Sequence, residues 1–225
     1  MRFRSAVALA LCLALPGAGR AAAAPDPLEP VNRRVHAFNE LVRARVLHPL
    51  AALYRAQVPA ELRQEVANAA ANLREPITAA SGLAAGELGI AANAVARFGI
   101  NSTLGWGGLH DRAAELGFPR RPFGVADAVC AWGAPSGPFL VLPLLGPSTL
   151  RDAAATAAAG VALSQAIGPD AYLAWSGGDA LVGYVEADPE LARIAAESLD
   201  GYAVLRSAYL QRRAEACAVD REAEP

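Results

Sequence analysis

The sequence predicts an all-α protein. Apolar residues recur at three- and four-residue spacing in several segments. Proline and acidic residues stand where helices begin, and no two-residue alternation is sustained long enough for a sheet.

Pro30 fits a first helical turn, where its missing N–H costs nothing. Val31, Val35, Phe38, Leu41 and Val42 then mark one apolar helical face. Pro49 is expected to interrupt this run, with a short helix following to Tyr54. Pro59 opens the next helix, with Leu62, Val66 and Leu73 expected inward. Glu75-Pro76 is expected to end it, because the residue before proline is pushed out of the helical region. From Ile77 to Thr103 the only charges are Glu87 and Arg97. Gly82, Gly86 and Gly89 argue for two helices there, near 77–84 and 87–102, with small residues allowing close backbone approach. Gly105, Gly107 and Gly108 form a turn. Short helices are expected over 109–116 and 123–132. Ser148 is the expected cap of a helix from Thr149 towards Leu163, and Asp170 of another. Asp188-Pro189-Glu190 has the form of a helix start. The last helix spans about 199–217, with Tyr202, Leu205 and Tyr209 on one face, and the tail from Asp220 is polar.

Between these helices, residues 131–152 read AWGAPSGPFLVLPLLGPSTLRD, free of charge until the closing Arg151-Asp152 pair. Pro135, Pro138, Pro143 and Pro147 prevent a long helix and remove backbone donors. Two readings stay open: a shaped apolar hairpin that meets something greasy, or a buried strand over 139–145.

The 225 residues suit one domain, or a domain with a tail. Hydrophobic residues make up 54%, and charged ones 19%, below the roughly 25% usual in soluble domains. A net charge of −2 excludes a broad basic nucleic-acid surface. Arg2 and Arg4, the apolar stretch 5–15, and Pro16-Gly17 form an export signal too short to span a bilayer. Ala21 and Ala23 point to cleavage before Ala24. The expected layout is signal 1–23, domain 24–217 and polar tail 218–225. Cys12 lies inside the apolar stretch, and Leu11 occupies the place where a lipid-attachment signal requires a small residue. Whether Cys130 and Cys217 pair is open, since an oxidising compartment permits it.

No nucleophile elbow, metal-ligating pair of histidines or phosphate-binding loop is present in the sequence, so no catalytic residue, metal or cofactor is expected. The polar residues set among apolar ones are Arg74, Glu75, Arg97, Asn101, Asp111, Glu115, Arg151 and Asp152. They are expected to form a network tying helices together, because an isolated buried charge is costly.

Five segments, DPLEPVNRRVHAFN (26–39), NLREP (72–76), RFGINSTLGWGGLHDRAAELG (97–117), WGAPSGPFLVLPLLGPSTLRD (132–152) and SLDGYAVLRSAYLQRR (198–213), together resemble the VacJ/MlaA family of outer-membrane phospholipid-transport proteins. The resemblance covers nearly all of the mature chain. It implies amphipathic helices ringed around a small pore at the periplasmic leaflet of the outer membrane. It further implies passive passage of outer-leaflet phospholipids to a periplasmic lipid-carrier protein, and a trimeric porin as partner. Trp132, Phe139, Leu140, Leu142, Leu144 and Leu145 would border the lipid path, and Gly133, Gly137, Pro138, Pro143, Gly146 and Pro147 would fix the hairpin's shape. The sequence departs from the family at Cys12, where the lipid-attachment signal is poor, and over 177–197, where the match is loose. Two other readings are a soluble periplasmic carrier of one hydrophobic ligand and a structural protein that docks on a porin.

Overall fold

The computed structural model describes residues 26–218. The signal segment, Cys12, the cleavage site and the tail after Ala218 lie outside the described residues.

The chain is helical as expected, but several prolines do not break it. Helix α1 (Glu29–Val42), a π-helical turn (Arg43–Leu47) and α2 (His48–Gln57) form one continuous rod. The break expected at Pro49 is absent. The π turn before it, closed by the His48 N–H on the Arg43 carbonyl, widens the spacing where the proline would otherwise clash. Helix α3 (Ala60–Ala85) runs straight through Pro76 and ends at Gly86, in the left-handed conformation (φ 84°). Flanking tertiary contacts override the local preference there. Asn72 donates to the Ser102 hydroxyl at 3.0 Å, and Glu75 is held by Arg97. The residues expected inward on α3 were misassigned: Leu62, Val66 and Leu73 face outward, whereas Ala71, Asn72, Glu75, Thr78, Ala79, Ser81 and Gly82 are buried.

Helix α4 (Leu88–Thr103) packs closely on α3. A methyl group on Gly82 would stand 3.0 Å from the Ala91 nitrogen, so glycine lets the two backbones approach without displacing α4. A single-turn α5 (Arg112–Glu115), capped by Asp111, and α6 (Val125–Ala131) follow.

The proline-rich segment forms a true hairpin. Strands β1 (Phe139–Leu142) and β2 (Gly146–Thr149) pair antiparallel, Phe139 opposite Thr149 and Leu142 opposite Gly146. Gly133, Gly137 and Gly146 all have positive φ, as does Leu144 at the tip (φ 64°). Two asparagines seven residues apart on α1, and therefore on one face, complete the free edge of β1. The Asn32 side chain donates to the Phe139 carbonyl at 3.0 Å and accepts from the Val141 N–H at 2.9 Å. Asn39 does the same for the Leu142 carbonyl and Leu144 N–H, at 2.9 and 2.8 Å. Asn32 is buried. Asn32→Ala strands two buried backbone groups and is expected to cost about 2–3 kcal/mol, measured by thermal unfolding in detergent. Asn39→Ala, at the exposed end, should cost less.

Helix α7 (Leu150–Ile167) is capped by Thr149, which accepts from the Asp152 N–H, and not by Ser148. Helix α8 (Pro169–Glu197) begins at Pro169, with Asp170 in its first turn rather than at the cap. It continues through Pro189, so the start expected at Asp188 is absent. Asp188 is instead a buried interior residue of a long helix. Helix α9 (Gly201–Ala218) closes the fold. A disulfide between Cys130 and Cys217 ties α9 to α6.

The aromatic core is small: Phe139, Val141 and Tyr202, with Val35, Tyr209 and Leu210 packed around them. The helices close a ring elsewhere. Helix α3 touches α6, α6 touches α7, α7 touches α8, and α8 returns to α3.

Candidate functional site

The ring α3–α6–α7–α8 borders a cavity of about 790 Å³ that is open to the outside. That volume lies in the range of sites that envelop small ligands. All four helices and the connector before α6 contribute wall residues. Small and apolar side chains dominate, among them Ala80, Ala84, Phe123, Ala159, Ala162 and Leu163. Trp132, Tyr172 and Trp175 add aromatic surface, with the Tyr172 and Trp175 rings 6.1 Å apart. Arg74, Glu75 and Arg120 bring charge, and Thr78, Ser81 and Thr156 bring hydroxyls. A second cavity of about 180 Å³, between α1 and the α8–α9 junction, is bordered by His36, Glu40 and Leu205. Burial holds the His36 imidazole below its ordinary pKa.

Of the residues expected on the lipid path, the wall takes only Trp132, whose indole N–H donates to the Ala84 carbonyl at 2.9 Å. Phe139, Leu140, Leu142, Leu144 and Leu145 lie away from it. Strand alternation turns Phe139 and Val141 into the aromatic core. The asparagine clamps hold the hairpin against α1, and Leu144 and Leu145 (72% exposed) form its outward tip. Pro138, Pro143 and Pro147 shape the hairpin and do not reach the wall.

The charged residues form separate clusters, not one network. Arg97, only 2% exposed, bonds the Glu75 carboxylate at 2.6 Å, Asp111 at 3.0 Å and the Phe118 carbonyl at 2.6 Å. Asn101 joins by donating to Asp111. Burial alone would lower the Arg97 pKa, but its hydrogen bonds to Glu75 and then Asp111 raise it. Burial alone would raise that of Asp111, but hydrogen bonds from Arg97, Asn101 and the Ala114 N–H lower it. Glu115 is outside this group, pairing with Arg112 on the surface. Arg74 reaches across to Asp179 on α8 at 2.5 Å. Arg151 and Asp152 belong to a cluster with Tyr209, Arg213 and Asp127 that surrounds the disulfide end of α9.

Sequence reasoning missed a further cluster. Asp188, with none of its surface exposed, accepts from His48 at 2.9 Å, Arg55 at 2.6 Å and Tyr184 at 2.7 Å. The sequence carries a signal for part of it, since Tyr184 and Asp188 are four apart on one helical face. His48 and Arg55 are brought in only by the fold.

Polar residues share the interior with small and aromatic ones, and many large apolar residues are exposed. Asn32, Asn72, Glu75, Arg97, Asn101, Asp152 and Asp188 are inside. Val31, Phe38, Leu41, Leu50, Leu53, Leu73, Leu83, Leu88, Val95, Leu173 and Leu181 are outside, spread over α1, α2, α3, α4 and α8. Exposed apolar surface on this scale marks an interaction with lipid or protein. Among the described residues no helix is long and apolar enough to cross a membrane, and no group of His, Cys, Asp or Glu is placed to hold a metal ion.

A family model described as MlaA lipoprotein matches residues 24–216. The Escherichia coli (strain K12) protein described as intermembrane phospholipid transport system lipoprotein MlaA is 30% identical over 196 residues, covering 83% of this chain and 76% of that protein. The Haemophilus influenzae protein of the same description is 31% identical over 223 residues, with 92% and 85% covered. A Rickettsia felis protein described only as uncharacterised is 36% identical over 135 residues, 56% of this chain and 51% of the relative. This chain therefore spans about half the length of its Rickettsia relatives. A solved chain from work on the structural basis for maintenance of bacterial outer membrane lipid asymmetry superposes with a TM-score of 0.70 at 27% identity. That match covers 86% of this chain and 99% of the other.

Proposed function

The chain belongs to the MlaA lipoprotein family, and from that premise we propose that it is the outer-membrane component of a phospholipid-transport system that maintains lipid asymmetry. After cleavage before Ala24 it lies at the periplasmic leaflet. Outer-leaflet phospholipids pass through it to a periplasmic carrier, and a porin trimer holds it in place. It is a passage and not an enzyme, and the direction of transport comes from its partners.

The helix ring around the mainly apolar cavity carries this reading. A phospholipid needs an apolar wall for its tails and a few polar groups for its head, and the cavity supplies both. Each buried methylene is worth about 0.8 kcal/mol, so a path enclosing both tails completely would trap the lipid. The outward apolar faces support embedding in a leaflet and weigh against a soluble carrier. Leu144 and Leu145, at the hairpin tip, meet acyl chains of the surrounding leaflet and not the interior path.

Ala159→Trp tests the passage by filling it from the α7 side. In cells lacking the native gene, the variant should accumulate normally and remain in the outer-membrane fraction. It should nevertheless fail to restore resistance to detergent and chelator. Full restoration would show that the cavity is not the route.

A further inference from the structure

We propose that Arg120 is the residue in the cavity that binds the phosphate of a lipid headgroup. The assignment rests on the lipid-passage reading and names the contact through which that passage recognises its cargo.

The charges on the wall are not equally available. Glu75 is taken by Arg97, and Arg74 by Asp179. Arg120 makes no ion pair or hydrogen bond among the described residues. The wall thus offers one uncommitted cation beside a largely apolar surface, the complement of an amphiphile with an anionic head. Ser81, on the same wall, has a buried hydroxyl that also lacks a partner, so the polar capacity of this surface is not used up internally.

The loop that presents Arg120 is fixed on both sides. Arg97 bonds the Phe118 carbonyl at 2.6 Å, and Asn93 bonds the Pro119 carbonyl at 2.9 Å. Downstream, Phe123 is buried and the Gly124 N–H donates to Asp127 at 2.6 Å. Pro119 and Pro122 stiffen the stretch between these anchors. A cation held without an internal partner on a fixed loop is prepared for an external anion. The planar guanidinium matches the paired oxygens of a phosphodiester. Arg121, its neighbour, is also exposed but lies off the wall, which makes it an internal control.

The test uses the full-length protein in detergent and three photoactivatable probes: phosphatidylglycerol, diacylglycerol and a fatty acid. Arg120→Gln should lower phosphatidylglycerol capture about tenfold, or about 1.4 kcal/mol, and leave diacylglycerol capture unchanged. Arg120→Lys should be intermediate, and Arg121→Gln should behave as wild type. The assignment is overturned if Arg120→Gln captures phosphatidylglycerol normally, if diacylglycerol capture falls equally, or if Arg121→Gln has the same effect. It is also overturned if only fatty-acid capture depends on Arg120, because the site would then read a carboxylate. Should the wild-type protein capture none of the three, the lipid-passage reading itself falls. Normal capture by Arg120→Gln removes the Arg120 assignment alone.

Discussion

Replacing Arg97 by Ala is expected to destabilise the protein by about 3–5 kcal/mol, the range for removing one member of a buried ion pair. The guanidinium is almost fully enclosed and reaches three partners on three segments: Glu75 on α3, Asp111 before α5 and the Phe118 carbonyl. Its removal leaves the Glu75 carboxylate, 4% exposed, without its cation. That carboxyl must then take up a proton or drag water into the α3–α4 contact, and either is costly. The double variant Arg97→Met with Glu75→Gln removes both charges and should recover much of the loss. Thermal unfolding of the two variants in detergent checks this, and equal losses would mean that packing, and not charge, dominates at the site. The same change frees the Phe118 carbonyl that anchors the Arg120 loop, so surviving Arg97→Ala protein should also capture phospholipid less well.

Several features of this molecule were readable in the residues because they depend on short-range chemistry. Helical spacing in 31–42 and the glycines after Ala85 act within a turn or two of their own position. The cost of burying a lone charge pointed to pairing among the eight polar residues, but not to which of them would meet. Arg97 with Glu75 and Asp111 is the part of that network the fold realises. What was not readable depended on which face meets water. Leu62, Val66 and Leu73 are spaced like core residues but point outward, because an exposed apolar face carries the same periodicity as a face turned to a core. The prolines misled for a related reason. Pro49, Pro76 and Pro189 carry a local penalty that a π turn or long-range contacts around buried polar residues can override. The hairpin is where the segment's composition places it, but of its residues only Trp132 reaches the cavity wall. Nothing within 131–152 reveals that Asn32 and Asn39, a hundred residues earlier, hold it against α1. Arg120 was likewise invisible in sequence. An arginine between prolines has no distinguishing mark until its neighbours on the cavity wall are seen to be paired and it is not.

Asp188→Asn is expected to lower stability by about 2–3 kcal/mol near neutral pH, the range for hydrogen bonds to a charged group, and the deficit should vanish in acid. Burial alone would raise the Asp188 pKa, but hydrogen bonds from Tyr184, His48 and Arg55 outweigh that effect and hold it below the ordinary carboxylate value. A carboxyl depressed on folding adds stability that is present above its unfolded pKa, about 3.9. That contribution disappears as the pH falls through the still lower folded value. The asparagine keeps the shape but presents an N–H₂ to at least one of three donors, so the variant starts weaker and has no such charge to lose. The difference between wild type and variant, followed by thermal unfolding from about pH 7 downward, should therefore persist to about pH 4 and then shrink. A difference that persists unchanged into strong acid would mean the contact is maintained by geometry alone. The consequence for the fold is specific, because Asp188 sits on the ring helix α8 while His48 and Arg55 sit on α2. Loss of this carboxylate weakens the tie between the α1–α2 rod, which carries the hairpin clamps, and the ring around the cavity, leaving the Arg55 bond to the Val185 carbonyl.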